Sequence, residues 1–280
     1  MRTGQLFTLG RLFDIQFRLH FSWFIIFILV TASLVYPNQS HWLYWVTGII
    51  TSLLFFASVV AHELAHSLVG RANGIPVTSI TLFVFGGVAE MNEEITRPGA
   101  ELKMAIAGPI CSMAIGAIFG FFWLVIPHEA EPIVTMILWL AVMNEALAIF
   151  NLVPGFPLDG GRVLRALLWL FTGDYRYSTR IATRIGQGIG YLFIVGGGAI
   201  ILLRPFTLSW FDGLWFIFIG WFLGRVASAS YRQLLEQEAA RQPTITANNA
   251  TWLPVTSPGY SGWLVTRMGI RNANGKERNE

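Results

Sequence analysis

Residues 42–70 read WLYWVTGIITSLLFFASVVAHELAHSLVG. A membrane-spanning helix needs roughly 20 apolar residues, and this run exceeds that. Apart from a few hydroxyls, its only polar interruption is the cluster His62-Glu63-Leu64-Ala65-His66. On a helix, positions i and i+4 lie on one face a turn apart, so both imidazoles can reach one metal ion. Glu63 sits beside them, placed to accept the proton of an attacking water. The five-letter pattern occurs by chance, and its setting is what gives it weight. Ionisable groups inside a membrane are costly and mark function by default. The bland alternative, a pair of packed histidines bonded to a glutamate, gives no return for that cost. His62 lies nine residues before Arg71, roughly 13 Å along a helix. That depth is inside the membrane, nearer the face where Arg71 emerges.

The rest of the chain agrees with a membrane setting. Of 280 residues, 54% are hydrophobic and 12% charged, and the mean hydropathy is +0.56. Soluble domains carry about 25% charge, so an ordinary soluble globule and a disordered chain are both excluded. The net charge of +3 is not gathered into a stripe, which argues against nucleic-acid binding. The single cysteine, Cys111, excludes an internal disulfide framework and a cysteine-rich zinc site.

Six apolar segments are predicted as spans: Phe21–Tyr36, Trp42–Gly70, Met104–Ile126, Ile133–Val153, Ile185–Leu203 and Trp210–Gly224. The first and last are short. With the N-terminus in the cytoplasm, eighteen of nineteen basic residues fall on that side, Arg204 being the exception. The positive-inside rule therefore favours six spans with both ends cytoplasmic. A cleaved signal peptide is the weaker reading of span one, because its leading region is long, contains Asp14 and is followed by no small-x-small site. The expected fold is an all-α membrane protein of about six transmembrane helices. A short β hairpin is expected at Thr78–Met91, between spans two and three, where β-branched residues flank Gly86-Gly87. The expected organisation is a cytoplasmic N-terminal segment at 1–20, a transmembrane domain at 21–232 and a polar, poorly ordered cytoplasmic tail at 233–280.

Catalytic zinc takes three protein ligands and leaves a fourth position open. His20, His41 and His128 fall at span edges or in loops. The third-ligand candidates are Asp159, Glu145, Glu90, Glu93 and Glu94. Asp159 has the best context, in Asn151-Leu-Val-Pro-Gly-Phe-Pro-Leu-Asp159-Gly-Gly-Arg162. Pro154 and Pro157 break the helix, and Gly160-Gly161 permit a tight turn. Irregular backbone at such depth is tolerated where it is buried in protein or lines a wet cavity. The alternative is an ordinary loop aspartate after span four. Gly116-x-x-x-Gly120 and Gly186-x-x-x-Gly190 are read as packing surfaces within the chain, as is Gly196-Gly197-Gly198. Cys111 is read as an apolar filler.

Together, H-E-L-A-H at 62–66, N-L-V-P-G-F-P-L-D-G at 151–160 and Ala107-Gly108-Pro109 resemble the motifs of the site-2 protease family of intramembrane zinc metalloproteases, over roughly residues 10–230. The resemblance implies that His62, His66 and Asp159 bind one Zn2+, that Glu63 activates water, and that Asn151 contacts substrate backbone or a developing oxyanion. It implies a transmembrane protein substrate in the bilayer, cut to release membrane-tethered regulators, with homo-oligomerisation left open. The strand near 80–91 would suit pairing with an unwound substrate. Relatives with this topology often carry paired CBS domains after span six. The roughly fifty residues here show no such pattern, so nucleotide sensing is not expected. Two rival functions are a metal-ion or proton transporter and a catalytically inactive client-binding relative. The transporter gives no reason for Glu63 between two histidines, and the inactive relative none for keeping it.

Overall fold

The computed structural model describes residues 6–36, 41–83, 86–91, 97–203, 209–241, 251–257 and 260–266. The chain divides into two compact units, Met1–Arg232 and Gln233–Glu280. Within the first, five helices are long and apolar enough to cross a membrane. They are α2 (Trp42–Ala72), α3 (Pro98–Val125), α4 (Ile133–Asn151), α6 (Tyr175–Leu203) and the Trp210–Arg232 part of α7 (Trp210–Arg241). The first predicted span is the shorter apolar helix α1, Ser22–Val35, of 14 residues, roughly 21 Å long. It packs on α2 where Gly48 meets Val35 and Thr31 Oγ1 donates to Ser52 Oγ at 2.8 Å.

The N-terminal segment, expected from sequence only as a cytoplasmic segment at 1–20, folds as β1 (Leu6–Leu12) and β2 (Ile15–His20). In Ile15-Gln16-Phe17-Arg18-Leu19-His20 every second residue is buried, the period-2 pattern of a half-buried strand. The turn residues Phe13 and Asp14 both have positive φ, 51° and 59°, as a two-residue hairpin turn of the I′ type requires. Arg71, at the end of α2, donates to the Phe13 carbonyl. The expected hairpin between spans two and three is present as β3 (Val77–Phe83) and β4 (Gly86–Met91). The two hairpins join in one four-stranded sheet of order β1-β2-β3-β4. β2 runs parallel to β3, with Phe17 opposite Ile80. Ile15, Phe17, Leu19, Ile80 and Leu82 form a core cluster that packs on Trp23, Val60 and Leu64. The sheet thus lies against the stretch of α2 that carries His62 and His66.

The stretch after span four departs from the expectation of a turn. Gly160 and Gly161 form the first turn of a further helix, α5 (Asp159–Thr172). It ends at Gly173 in the left-handed conformation, φ 70°, the usual glycine C′ stop. Helix α6 then starts ten residues before the predicted span. Gly186 does serve internal packing, against the Phe156 backbone. A Cβ at Gly190 would lie 2.7 Å from the Gly220 carbonyl oxygen, and one at Gly213 would lie 2.7 Å from that of Gly197. α6 and α7 are therefore an antiparallel pair in backbone contact along a seven-residue spacing of glycines. Gly120, Gly188, Gly196 and Gly198 have nothing within 4 Å of such a Cβ and take no part. In the second unit, Thr251–Ser257 (β5) and Tyr260–Thr266 (β6) pair as an antiparallel two-stranded sheet.

Candidate metal centre

Three side chains from two helices converge on one point. Helix α2 presents His62 and His66 a turn apart, and Asp159 opens α5 after the proline-broken segment. His62 Nε2 lies 3.2 Å from Asp159 Oδ2, His66 Nε2 lies 3.1 Å from the same oxygen, and the two Nε2 atoms are 3.1 Å apart. The histidines are 3% exposed. Among the described residues these three form the group able to hold a metal ion.

The triangle fits zinc. Ligands at about 2.05 Å in a tetrahedral site stand about 3.3 Å apart, close to the three edges found. Both imidazoles are also held from behind. His66 Nδ1 lies 2.6 Å from the Met104 carbonyl oxygen. A carbonyl only accepts, so Nδ1 carries the proton and Nε2 turns its lone pair toward the centre. His62 Nδ1 contacts Ser112 Oγ at 2.9 Å, an arrangement that orients the second ring in the same sense. Met104 and Ser112 are both on α3, and both are fully buried.

Glycine shapes the opposite wall. A Cβ on Gly108 would stand 2.7 Å from His62 Nε2 and closer still to His66 Nε2. The glycine of the Ala107-Gly108-Pro109 element thus leaves the space in front of the two imidazole Nε2 atoms. Gly87 on β4 plays a similar part for Glu63, since a Cβ there would lie 2.8 Å from Glu63 Cδ. Strand β4 therefore passes directly over the carboxylate between the histidines.

The broken segment is packed as tightly. A Cβ at Gly161 would meet the Gly155 carbonyl oxygen at 2.7 Å, and one at Gly155 would meet Gly186 Cα at 2.6 Å. Phe156 N donates to the Ala182 carbonyl at 3.3 Å. The glycines after Asp159 are needed for this close approach rather than for a turn.

Of the other third-ligand candidates, Glu145 lies on α4 against Gly116, whose Cβ would stand 2.6 Å from its Oε1, and it is not in the group. Glu90 pairs with Ser79 in the β3–β4 ladder. Glu93 and Glu94 lie outside the described residues. Asn151 closes α4, where its Nδ2 donates to the Leu147 carbonyl at 3.0 Å. His20 bonds Ser22 and His128 meets Trp123 edge to face, and neither is in the group. Sequence reasoning missed the supporting roles of Met104 and Ser112. Their spacing of eight residues on one helix face was the available signal.

Comparison with known proteins agrees with this geometry. The profile of Peptidase family M50 matches residues 50–129 and 125–196. The Synechocystis protein sll0528, whose name places it among zinc metalloproteases, is 43% identical over 241 residues, covering 82% of this chain and 62% of that protein. Rip3 of Mycobacterium tuberculosis, similarly named, is 34% identical over 263 residues, covering 90% and 65%. The chain thus spans a little under two thirds of the length of these relatives. The solved site-2 protease from Methanocaldococcus jannaschii is 31% identical with a TM-score of 0.56, covering 80% of this chain and 94% of that one. Zinc is the ion that both the donor set and the relatives imply. By sequence and by fold, the chain belongs to peptidase family M50 and is of the site-2 protease type.

Proposed function

We propose that the protein is an intramembrane zinc endopeptidase that hydrolyses peptide bonds in or near transmembrane segments of membrane-tethered proteins. The observation that carries this reading is the convergence of His62, His66 and Asp159, with ligand atoms all within 4.8 Å of one another, beside a glutamate on an apolar helix. Zn2+ held there would supply Lewis-acid activation of water and of the scissile carbonyl. Glu63 takes the proton of the attacking water and returns it to the leaving amine. Asn151, eight residues before Asp159, contacts substrate backbone or the developing oxyanion.

β4 ends the strand order of the sheet and crosses Glu63 at Gly87. An extended substrate pairing with that strand would be laid across the catalytic carboxylate. A helical scissile bond is shielded by its own hydrogen bonds, so strand pairing also unwinds it. Five long apolar helices with the shorter α1 as a sixth crossing, and the one-sided basic residues, support a multi-pass cell-membrane protein with both termini in the cytoplasm. Its partners are a transmembrane protein substrate and the bilayer.

The test uses purified protein in liposomes with a panel of single-span substrates and metal determined for each variant. Wild type is expected to hold one zinc and to cleave. Glu63→Gln should keep zinc and lose cleavage by at least a thousandfold, and Asp159→Ala should lose zinc. A wild type without stoichiometric zinc sinks the mechanism. Ion flux that depends on Glu63, with no proteolysis, favours the transporter.

A further inference from the structure

One charged pair lies outside the metal triangle yet joins two of the helices that carry its parts, α3 and α5. Glu101, on the first turn of α3, is 0% exposed. Arg165, on α5, is 12% exposed and donates to Glu101 Oε1 through Nε at 2.9 Å and through Nη2. Its guanidinium lies 4.9 Å from the Phe156 ring centroid and 4.7 Å from that of Tyr175. Four segments therefore meet at one cation: α3, the proline-broken segment, α5 and α6.

Two of those segments carry the metal centre's own parts. Arg165 is six residues after Asp159 on the helix that Asp159 begins, about 9 Å along it. Glu101 is three residues before Met104, whose carbonyl accepts the hydrogen bond from His66 Nδ1. We propose that Glu101 and Arg165 are positioning residues that fix the Asp159 carboxylate against His62 and His66. This rests on the reading of those three as metal ligands.

The chemistry of the pair favours positioning over stability. Both Arg165 donors converge on Oε1, and Glu101 Oε2 is buried without a hydrogen-bond partner. A half-satisfied buried ion pair is a poor stabiliser, and apolar residues of similar volume often replace one at no loss. What the pair does supply is direction. A planar guanidinium that lies over two rings and turns two donors to one carboxylate oxygen is restricted in orientation. Leu158 gives α5 no side-chain cap, so Asp159 is held by the glycine contacts with residues 152–156 at its own end of α5 and by the anchor that Arg165 makes further along the helix.

The experiment measures Zn2+ affinity by chelator competition and the visible absorption of the Co2+-loaded protein. It compares wild type, Arg165→Lys and the double variant Glu101→Met/Arg165→Met, with apo-protein thermal unfolding as the control for folding. The double variant should unfold near the wild-type temperature but bind Zn2+ ten- to a hundredfold more weakly, with an altered Co2+ spectrum. Arg165→Lys keeps the charge and loses the planar stack, and should fall between. Wild-type affinity and an unchanged Co2+ spectrum in both variants would overturn the proposal. Absence of metal from wild type would instead overturn the assignment of the ligands.

Discussion

At the residue scale, the metal centre depends as much on a missing side chain as on those present. Gly108 stands where a methyl group would press on both ligand nitrogens. In a helix interior, Gly→Ala normally gains up to about 1 kcal/mol. Gly108→Ala should therefore fold with unchanged helix content by circular dichroism yet retain less than about a tenth of the wild-type zinc, a site-blocking effect of the kind overpacking produces. Full zinc occupancy in that variant would show that the wall is further from the ligands than described. The three side chains that could hold the ion were legible because a helix fixes what i and i+4 share, and because Asp159 followed two prolines and preceded two glycines. Glu101 and Arg165 were not legible. They are 64 positions apart, and nothing in either local sequence announces the other.

At the element scale, helix α5 and the β1–β2 hairpin show two ways a fold hides. The alternation from Ile15 to His20 is plain, but its parallel partner β3 begins 57 residues after β2 ends, and such pairing is not encoded locally. α5 opens with Asp-Gly-Gly and has no side-chain cap at Leu158, so propensity argues against it. It forms because residues 152–156 pack directly on its glycines. The same reasoning separates neighbouring glycines on α6. Gly186→Ala would press on the Phe156 backbone and should cost about 1–3 kcal/mol. Gly188→Ala meets open space and should be neutral or slightly stabilising. Thermal unfolding of the two variants in one detergent distinguishes them, and equal midpoints would deny the close approach of α6 to the broken segment.

At the scale of the whole molecule, hydrogen bonding between β2 and β3 constrains how the chain meets the lipid. Both strands lie on one side, so α1 and α2 between them must carry the chain across and back. α2, with 31 residues, crosses a hydrocarbon layer of about 30 Å with length to spare. α1 offers roughly 21 Å from its 14 residues. Acyl chains beside α1 must shorten to meet it, a mismatch that costs a fraction of a kcal/mol per Å. The sheet thereby obliges the protein to wear a dimple in its bilayer, next to the helix that holds the histidines. A thinned collar brings water closer to a buried site and leaves the end of an arriving helix less lipid to hide in. Turnover should accordingly be faster in vesicles of short-chain than of long-chain phosphatidylcholine at equal zinc occupancy. Rates independent of acyl length would mean that α1 makes its crossing without deforming the membrane.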